Sequence, residues 1–455
     1  FMWPASFWEK YEFFIRHSAG LGKAPTKPDP DIYDHQYAHC DVLVIGGGIS
    51  GVIAAKLSAE KKLNTILLDD KKDLGGVSIY NNDDNFKIND QNVSKWLSNE
   101  IENLKKYPNL SIKTRTSLAA FHGYNYLLAK ENLTDHLSVN DRKDKIRQRL
   151  WKIRAKKVVI ATGAIERPLI FNNNDRPGIL LSSSIKKYID YYGVKCGTKI
   201  SIFTSNDSAY ETVLSLYKNG VKVNSIIDIR DKSESLIVKK VQDIGIKIYW
   251  KHTVVNTKGY KRINSIELMK LNEKGTGVIG DKINESCDCL GISGGWTPMV
   301  HLFTQSGGKL EFNRIDNMFI PNENKSPSEQ ISVGSCNGDL ELDDIIKKTN
   351  LKTKEFLDIN TSIFDSLKIL SSKEKNKKNI WLLPSDKPLG KTKPFLDFQN
   401  DSTAKDVKLA LREGFKSIEH VKRYTTTGMG TDQGKLSNMH ALGIIADTTG
   451  TNMGE

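Results

Sequence analysis

The sequence predicts an α/β protein: a flavoprotein-like Rossmann fold with two dinucleotide-binding domains, followed by a small, mostly helical carboxy-terminal domain. Three observations predict this fold class. An apolar run at residues 41–45 leads into a glycine-rich turn and then a helical pattern. A second apolar run at residues 65–68 is followed directly by an acid, Asp69. A similar strand–helix–strand pattern recurs from residue 199, and repeated units of this kind are typical of nucleotide-binding folds with parallel sheets.

The first unit begins with Asp-Val-Leu-Val-Ile at residues 41–45, a continuous apolar run typical of a strand buried on both faces. The helical pattern that follows starts near Val52 and ends near Lys62. Residues 65–68 are a second buried strand. Together these elements make a strand–helix–strand unit of about 30 residues, the size expected for a dinucleotide-binding motif.

Further strands and helices are predicted downstream. A strand is predicted at residues 157–163, and the second unit has a strand at 199–203, a helix at 209–218 and a strand at 223–229. The chain is then expected to return to the first lobe through strands at 289–295 and 331–335. Near the carboxyl end we predict one helix over residues 402–424, a turn at 428–430 and a last helical piece.

These elements predict a discontinuous domain organisation. The expected parts are an amino-terminal packing segment and connector (1–39), a first Rossmann domain (40–197 and 286–350), an inserted second Rossmann-like lobe (198–285), a Lys-rich linker (351–393) and a small helical domain (394–455).

The turn from Gly46 to Gly51 reads Gly-Gly-Gly-Ile-Ser-Gly and fits the G-x-G-x-x-G pattern in the context that its mechanism requires, between a buried strand and a helix. Gly46 permits the tight turn, Gly48 lets a pyrophosphate approach the backbone, and Gly51 lets the helix pack closely on the strand. The helix amino terminus then offers free N–H groups and a partial positive charge. We therefore predict a dinucleotide at this turn.

An acid should follow the second strand of such a unit to hold the ribose hydroxyls. Asp69 and Asp70 stand there, and their spacing from Gly51 favours Asp69 for the ribose. An acid at this position disfavours a 2′-phosphate, so NAD or FAD is preferred over NADP. The stretch from Gly334 to Gly338 occupies the place where flavoproteins carry a Gly-Asp motif, but it lacks the Asp, which favours NAD over FAD.

The second unit carries Thr204-Ser205-Asn206-Asp207-Ser208-Ala209 where glycines would be required. Side chains at these positions would crowd a pyrophosphate. We therefore interpret the second unit as a structural lobe without a nucleotide.

Composition excludes several function classes. The net charge is +13, but the excess is Lys spread along the chain, and no nucleic-acid-binding motif accompanies it, so we predict no nucleic-acid partner. No stretch approaches the roughly 20 apolar residues of a membrane helix. The five cysteines are scattered and odd in number, which argues against a secreted disulfide framework and favours the cytoplasm. Cys287-Asp288-Cys289 lacks a second pair at metal spacing, so no metal site is predicted.

Several segments resemble the alpha subunit of heterotetrameric sarcosine oxidase. They are Trp3-Pro4, Phe7–Lys10, Gly20–Gly22, Ala38–Asp41, Thr134–Leu137, Arg147–Trp151, Ala161–Ala164, Glu166–Pro168, Asn174–Gly178, Ser293–Trp296, Val300–Leu302, Asp397–Asp401 and Lys422–Thr426. The resemblance extends over essentially the whole chain. Compared with that family, we expect this chain to be an internal fragment that lacks a small amino-terminal domain and a carboxy-terminal folate-binding domain.

The resemblance implies a complex with beta, gamma and delta subunits. Sarcosine would be oxidised on FAD in the beta subunit, electrons would pass to FMN at the alpha–beta interface and then to oxygen, giving hydrogen peroxide, and the one-carbon unit would go to tetrahydrofolate. The alpha chain would hold a non-redox NAD and no catalytic residue. By motif position, the implied NAD contacts are Ser50, Asp69, Asp70, Lys71, Val77, Leu118, Ser335, Leu340 and Leu342.

Two alternatives stay open. Related amine and opine dehydrogenase alpha subunits hold FAD and an iron–sulfur cluster, which needs four Cys ligands. By alignment those places are held here by Asp397, Gln399, Asp432 and Ser437, so the family's iron–sulfur ligands are lost and no cluster is expected. The other alternative is a nucleotide-binding scaffold without a redox role.

The run from Lys422 to Thr426 is a candidate wall of the FMN site, because its cations and hydroxyls can hold a phosphate. The alternative for this run is a helix carboxyl terminus whose Lys and Arg complement the helix dipole.

Overall fold

The computed structural model describes residues 3–20, 22, 25–81, 86–371, 374 and 378–454. The helices in these ranges are α1 (Trp8–Ser18), α2 (Ile49–Glu60), α3 (Val93–Leu104), α4 (Ser182–Asp190), α5 (Ser208–Lys218), α6 (Leu236–Asp243), α7 (His301–Gln305), α8 (Leu342–Leu357), α9 (Ala404–Arg412), α10 (Ile418–Thr425) and α11 (Asn438–Thr449). None of them is both long enough and apolar enough to span a bilayer.

The strands in the same ranges are β1 (Ile32–Ile45), β2 (Thr65–Leu68), β3 (Lys87–Ile88), β4 (Gln91–Asn92), β5 (Leu110–Lys113), β6 (Thr116–His122), β7 (Tyr126–Asn132), β8 (Ile146–Ile160), β9 (Ala164–Glu166), β10 (Ile179–Leu181), β11 (Ile200–Thr204), β12 (Val223–Asp228), β13 (Lys247–Trp250), β14 (His252–Gly259), β15 (Ile263–Leu271), β16 (Val278–Ser286), β17 (Cys289–Ser293), β18 (Trp296–Pro298), β19 (Lys309–Asn313), β20 (Met318–Asn322), β21 (Gln330–Ser332), β22 (Ile369–Leu370), β23 (Phe395–Asp397) and β24 (Ser402–Thr403).

The first lobe is built on a sheet with the strand order β5-β2-β1-β8-β7-β6, in which β21 also pairs with β8. Strands β5, β2, β1, β8 and β21 are parallel, whereas β6 and β7 form an antiparallel meander against the first part of β8. Helices α2, α3 and α8 cover one face of the parallel part through a core that includes Val44, Ile53 and Leu67. The carboxyl ends of the parallel strands therefore meet at one edge, where ligands of such sheets bind.

The amino-terminal residues differ from the predicted packing segment and connector. Helix α1 buries no residue, so it does not act as a packing segment within the described part of the chain. Strand β1 begins at Ile32, and its residues 32–40 pair with residues 146–155 of β8. The polar sequence before residue 41 gave no strand signal, because its pairing depends on a partner more than a hundred residues away.

The second lobe has a parallel sheet with the strand order β10-β17-β11-β12-β13 and an antiparallel sheet formed by β14, β15 and β16. Our assignment of β17 to the first lobe is wrong, because this strand lies between β10 and β11. Strand β10 and helix α4, which we placed before the second lobe, also belong to it. An apolar strand buried on both faces suits either sheet, so its sequence does not reveal which sheet it joins.

Residues two apart share one face of a regular strand, but Cys287 and Cys289 do not. Asp288 forms a bend before β17, and its carboxylate accepts hydrogen bonds from the backbone N–H groups of Thr198 and Lys199. The bend breaks the two-residue period of a strand, so Cys287 packs in the core with Leu290 and Cys289 packs in the core on the opposite face of the sheet.

The carboxy-terminal part has two further differences. Helix α8 continues to Leu357, past the predicted start of the linker at residue 351. The single helix predicted over residues 402–424 is two helices, α9 and α10, because Gly414 adopts a left-handed conformation (φ +97°) just after α9. The N–H of Phe415 then reaches back to the carbonyl oxygen of Ala410 and ends the helix. Helices α9, α10 and α11 pack around Leu396, Val407 and Ile444 in their own core.

Candidate dinucleotide-binding site

The turn after β1 adopts the geometry that its glycines predict. Gly46 has a φ of +101°, and a β-carbon on it would lie 2.3 Å from the carbonyl oxygen of Ala161 on the neighbouring strand end. A β-carbon on Gly51 would lie 1.8 Å from the carbonyl oxygen of Gly46, so α2 packs directly on the turn. Both positions therefore require glycine for folding as well as for the site.

Gly48 is the residue before α2, and its N-cap position leaves the first N–H groups of that helix facing outward. A β-carbon built on Gly48 would meet no protein atom within 4 Å. The space beside Gly48 is therefore open, in contrast to the space beside Gly46 and Gly51. Open space next to a helix amino terminus can receive an anionic group such as a pyrophosphate.

Asp69 follows β2 and is 8% exposed. Its Oδ2 accepts a hydrogen bond from the N–H of Gly47 at 2.6 Å, and its Oδ1 accepts one from the N–H of Lys71 at 2.8 Å. Burial raises the pKa of Asp69, and these two hydrogen bonds oppose the rise. Each carboxylate oxygen has a second acceptor site, so the group can still accept hydrogen bonds from ribose hydroxyls.

Ser50 lies in the first turn of α2, where its side chain meets two later segments of the chain. Its Oγ accepts a hydrogen bond from Oγ1 of Thr349 in α8 at 3.1 Å. A β-carbon on Gly334, which has a φ of +70°, would lie 2.1 Å from the same Oγ. Helix α8 and the turn at residues 334–337 are thus fixed against the amino terminus of α2.

Five of the remaining predicted contacts lie on two segments. Asp70, Lys71 and Val77 lie on the segment after β2; Asp70 is exposed with its carboxylate 3.0 Å from Nζ of Lys71, and Val77 is 63% exposed. Ser335 and Leu340 lie half-buried between β21 and α8. Their contact with a dinucleotide stays a prediction.

Leu118 and Leu342 take part in packing. Leu118 lies on β6 and packs against the core of the first lobe around Leu68. Leu342 begins α8 and packs against the core on the other face of the sheet. Both side chains therefore have packing roles of their own, and a dinucleotide contact by either of them also stays a prediction.

Sequence reasoning missed the contact of Gly75 and Gly76 with the glycine turn. The N–H of Gly75 donates to the carbonyl oxygen of Gly47 at 2.7 Å, and a β-carbon on Gly76 would lie 3.2 Å from Cα of Gly48. These two glycines therefore form a wall of the open space beside Gly48. The Gly-Gly pair after the second strand was the available signal.

The corresponding turn of the second lobe is filled by side chains. Arg230 is 2% exposed and pairs with Oδ1 of Asp207 at 2.8 Å, Oδ2 of Asp228 at 2.8 Å and Oε1 of Glu374 at 3.2 Å. The N–H of Asp207, just before α5, donates to Oε1 of Glu374 at 2.8 Å. Carboxylates of the chain itself thus pair with the cation and with the N–H group at the helix start. These are the two groups that a phosphate would otherwise contact.

Three of the four positions aligned with cluster ligands are hydrogen-bonded to backbone N–H groups. The bonds are Asp397 Oδ2 to Gly428 (2.7 Å), Gln399 Oε1 to Thr431 (2.6 Å) and Asp432 Oδ1 to Gly434 (3.0 Å). Ser437 is 1% exposed. Within the part of the chain that the structure describes, no group of three or more His, Cys, Asp or Glu side chains is arranged to hold a metal ion.

The run from Lys422 to Thr426 forms the end of α10. Thr425 is buried, and its carbonyl oxygen accepts a hydrogen bond from the hydroxyl of Ser402 at 2.5 Å. Arg423 and Tyr424 are exposed, and the ring of Tyr424 packs against Phe415. Arg423 therefore presents a cation to the surface at the carboxyl end of a helix.

The glycine turn, its acid and the two-lobed sheet arrangement correspond to a known family. A family model described as pyridine nucleotide-disulphide oxidoreductase matches residues 40–324, which is more than half of the chain. The chain belongs to this family. A second family model, described as the sarcosine oxidase A3 domain, matches residues 391–455 of the same chain.

Curated relatives of this family member confirm the predicted resemblance to sarcosine oxidase alpha subunits. The chain is 34% identical over 465 residues to sarcosine oxidase subunit alpha of Rhizobium meliloti (strain 1021), covering 100% of this chain and 44% of the relative. It is 32% identical to sarcosine oxidase subunit alpha of Corynebacterium sp. (strain U-96), covering 95% of this chain and 45% of the relative. The chain thus spans less than half the length of these relatives.

Solved structures show the same fold. L-proline dehydrogenase from P. horikoshii matches with a TM-score of 0.68 and 20% identity, covering 95% of this chain and 78% of that one. Thioredoxin reductase from T. acidophilum matches with a TM-score of 0.54 and 16% identity, covering 70% and 97%. Together with the family match, these similarities confirm the predicted α/β Rossmann-type fold with a helical carboxy-terminal region.

Proposed function

We propose that this chain acts as the alpha subunit of a sarcosine oxidase and that it binds NAD at the turn after β1. The observation that carries the binding proposal is the open space beside Gly48. This space lies at the start of α2, and the neighbouring residue Gly47 donates its N–H to the carboxylate of Asp69. Polar groups for a phosphate and for a ribose therefore converge on space that no side chain fills.

The preference for NAD over FAD rests on the segment after β21. Ser335 stands where a flavoprotein would place an acid. The next acid along the chain, Asp339, is 6% exposed and its Oδ1 lies 2.8 Å from Nζ of Lys348. Its carboxylate is thus committed to a lysine, and this segment supplies no free acid for a ribityl chain.

The test is direct identification of the bound dinucleotide. The purified chain is denatured, and the released small molecules are identified and quantified by mass spectrometry. We expect about one NAD per chain, as for a single tightly held cofactor. Stoichiometric FAD without NAD would contradict the NAD proposal, and the absence of any dinucleotide would contradict the site itself.

We propose further that amine oxidation takes place on a partner beta subunit carrying FAD, in a complex that also has gamma and delta subunits. The names of the relatives support assembly into a larger enzyme, since both are called subunit alpha. Without a partner the chain is expected to be inert toward sarcosine. Hydrogen peroxide release from sarcosine by this chain alone would contradict the proposal, whereas release that requires a co-expressed flavin-containing subunit is the expected result.

Arg423 is our candidate for an FMN contact at the alpha–beta interface. It is exposed beside Tyr424 at the end of α10, where a guanidinium can pair with a phosphate of a ligand held between subunits. In the reconstituted complex, Arg423→Ala should slow reoxidation by oxygen and leave reduction of FAD by sarcosine unchanged. Arg412→Ala, at another exposed arginine of the same domain, serves as the control. Equal oxidase turnover in both variants would remove Arg423 from the mechanism.

The second candidate function is that of a related dehydrogenase alpha subunit, which holds an iron–sulfur cluster. We propose instead that this chain carries no such cluster. Asp397, Gln399 and Asp432 already accept hydrogen bonds from backbone N–H groups, and none of the four aligned positions has a thiolate. Elemental analysis of the purified complex should therefore find no iron in stoichiometric proportion to this chain. Iron at about two atoms per chain would support the dehydrogenase alternative.

A further inference from the structure

The segment after β2 forms one wall of the proposed phosphate site. The N–H of Gly75 donates to the carbonyl oxygen of Gly47 at 2.7 Å, and Gly76 lies against Gly48. The short helical turn Gly76–Tyr80 begins at this wall. Residues 70–80 therefore border the space beside Gly48.

The outer side of the same segment is attached to the second lobe. The hydroxyl of Tyr191, which directly follows α4, donates a hydrogen bond to Oδ2 of Asp73. Nζ of Lys72 lies 3.7 Å from Oδ2 of Asp73 and 5.4 Å from the centre of the Tyr191 ring. The phenol thus contacts a carboxylate through its hydroxyl and an ammonium group through its ring.

Tyr80 provides a second contact between the same two elements. Its ring centre lies 6.1 Å from that of Tyr191 and 5.9 Å from Nζ of Lys186 in α4. Tyr80 is half-buried, and burial raises the pKa of its phenol to about 12. The segment is therefore held at both ends of its outer face, by Asp73 and by Tyr80.

We propose that Tyr191 is a positioning residue that keeps residues 70–80 closed over the phosphate face and thereby slows release of the bound dinucleotide. This inference rests on the proposed NAD site. Residues 75 and 76 border the site, whereas residues 72, 73 and 80 are fixed to a helix of the other lobe. Outward movement of the segment would break the Tyr191–Asp73 hydrogen bond, and the wall at Gly76 would move with it.

The test measures the dissociation rate of NAD from the purified chain after mixing with excess labelled NAD. Tyr191→Phe keeps the ring and removes only the hydroxyl, and we expect release about fivefold faster, as for the loss of one partly exposed charge-assisted hydrogen bond. Asp73→Ala removes the acceptor and should accelerate release similarly. The double variant should equal either single variant, because each change removes the same Tyr191–Asp73 hydrogen bond.

Tyr192→Phe is the matched control. Tyr192 is 56% exposed and packs edge-on against Tyr191, and its hydroxyl makes no hydrogen bond to residues 70–80 among the described residues. The control should release NAD at the wild-type rate, and all variants should keep the wild-type melting temperature within about 2 °C. Wild-type release from Tyr191→Phe, or equal acceleration by Tyr192→Phe, would overturn the inference. A wild-type chain without any dinucleotide would instead contradict the proposed function.

Discussion

The carboxylate of Asp69 accepts a hydrogen bond from the backbone N–H of Gly47 at 2.6 Å. The acid at the end of β2 and the glycine turn after β1 are therefore one structural unit, although 22 positions separate them in the chain. A charged acceptor on a backbone N–H is stronger than a neutral one. The same carboxylate can thus order the turn and present acceptors toward a ribose.

Replacement of Asp69 by Ala should weaken dinucleotide binding about 10- to 100-fold, because a hydrogen-bonding carboxylate contributes about 1.5–3 kcal/mol. Calorimetric titration of the dinucleotide-free protein measures this change. Asp243→Ala is the control, since Asp243 is an exposed aspartate at the end of α6 in the second lobe. Equal weakening in both variants would contradict a ribose contact by Asp69.

Substitutions at two glycines of the turn should affect different properties, dinucleotide binding in one case and stability in the other. Gly48→Val places its side chain in open space, so we expect loss of bound dinucleotide with an almost unchanged melting temperature. Gly51→Ala places a methyl group 1.8 Å from the carbonyl oxygen of Gly46, which should destabilise the fold by about 1–3 kcal/mol. Dinucleotide content and thermal unfolding are measured on both variants. Full dinucleotide content in Gly48→Val would contradict the site.

Glu166 makes stability depend on pH. It is 3% exposed, its Oε2 accepts a hydrogen bond from the N–H of Ser183 at 2.7 Å, and burial raises its pKa from 4.5 to about 7. Between these two values the folded state keeps a proton that the unfolded state has lost. The free energy of unfolding therefore falls as pH rises through this window, by about 3 kcal/mol in total at 1.36 kcal/mol per pKa unit.

Glu166→Gln is neutral at every pH and should lack that decrease, so it should be more stable than wild type at pH 8 and similar to it at pH 4.5. Urea unfolding at several pH values checks this expectation. Glu413→Gln changes an exposed glutamate in the same way and should leave the pH profile unchanged. Parallel pH profiles for Glu166→Gln and wild type would show that Glu166 does not titrate in this window.

Arg230 holds the closed turn of the second lobe. Removing one partner of a buried ion pair leaves the other charges uncompensated, so Arg230→Met should cost about 3–5 kcal/mol of stability. Asp207 and Asp228 are the carboxylates that would lose their cation. Lys239→Met, at an exposed position of α6, is the control and should change stability by less than about 0.5 kcal/mol. Equal stability of the two variants in chemical denaturation would contradict this role.

The glycine turn of the first lobe and its contact with Asp69 were predictable because their signals are local. Gly46, Gly48 and Gly51 lie within one turn, and Asp69 follows the next strand, so their spacing alone predicted where they would meet. The first strand–helix–strand unit was predictable for the same reason, since β1, α2 and β2 are consecutive and each carries its own apolar pattern.

Only the tertiary structure decided which segments join across long separations. β17 carries the apolar run of a buried strand, yet its sheet depends on its neighbours β10 and β11. Residues 32–40 carry no apolar alternation and become a strand through pairing with β8. Likewise Arg230 meets Glu374, and Tyr191 meets Asp73, from positions more than a hundred residues apart. Sequence specifies local conformation and the residues to be buried, whereas the packing of whole lobes determines which distant side chains come into contact.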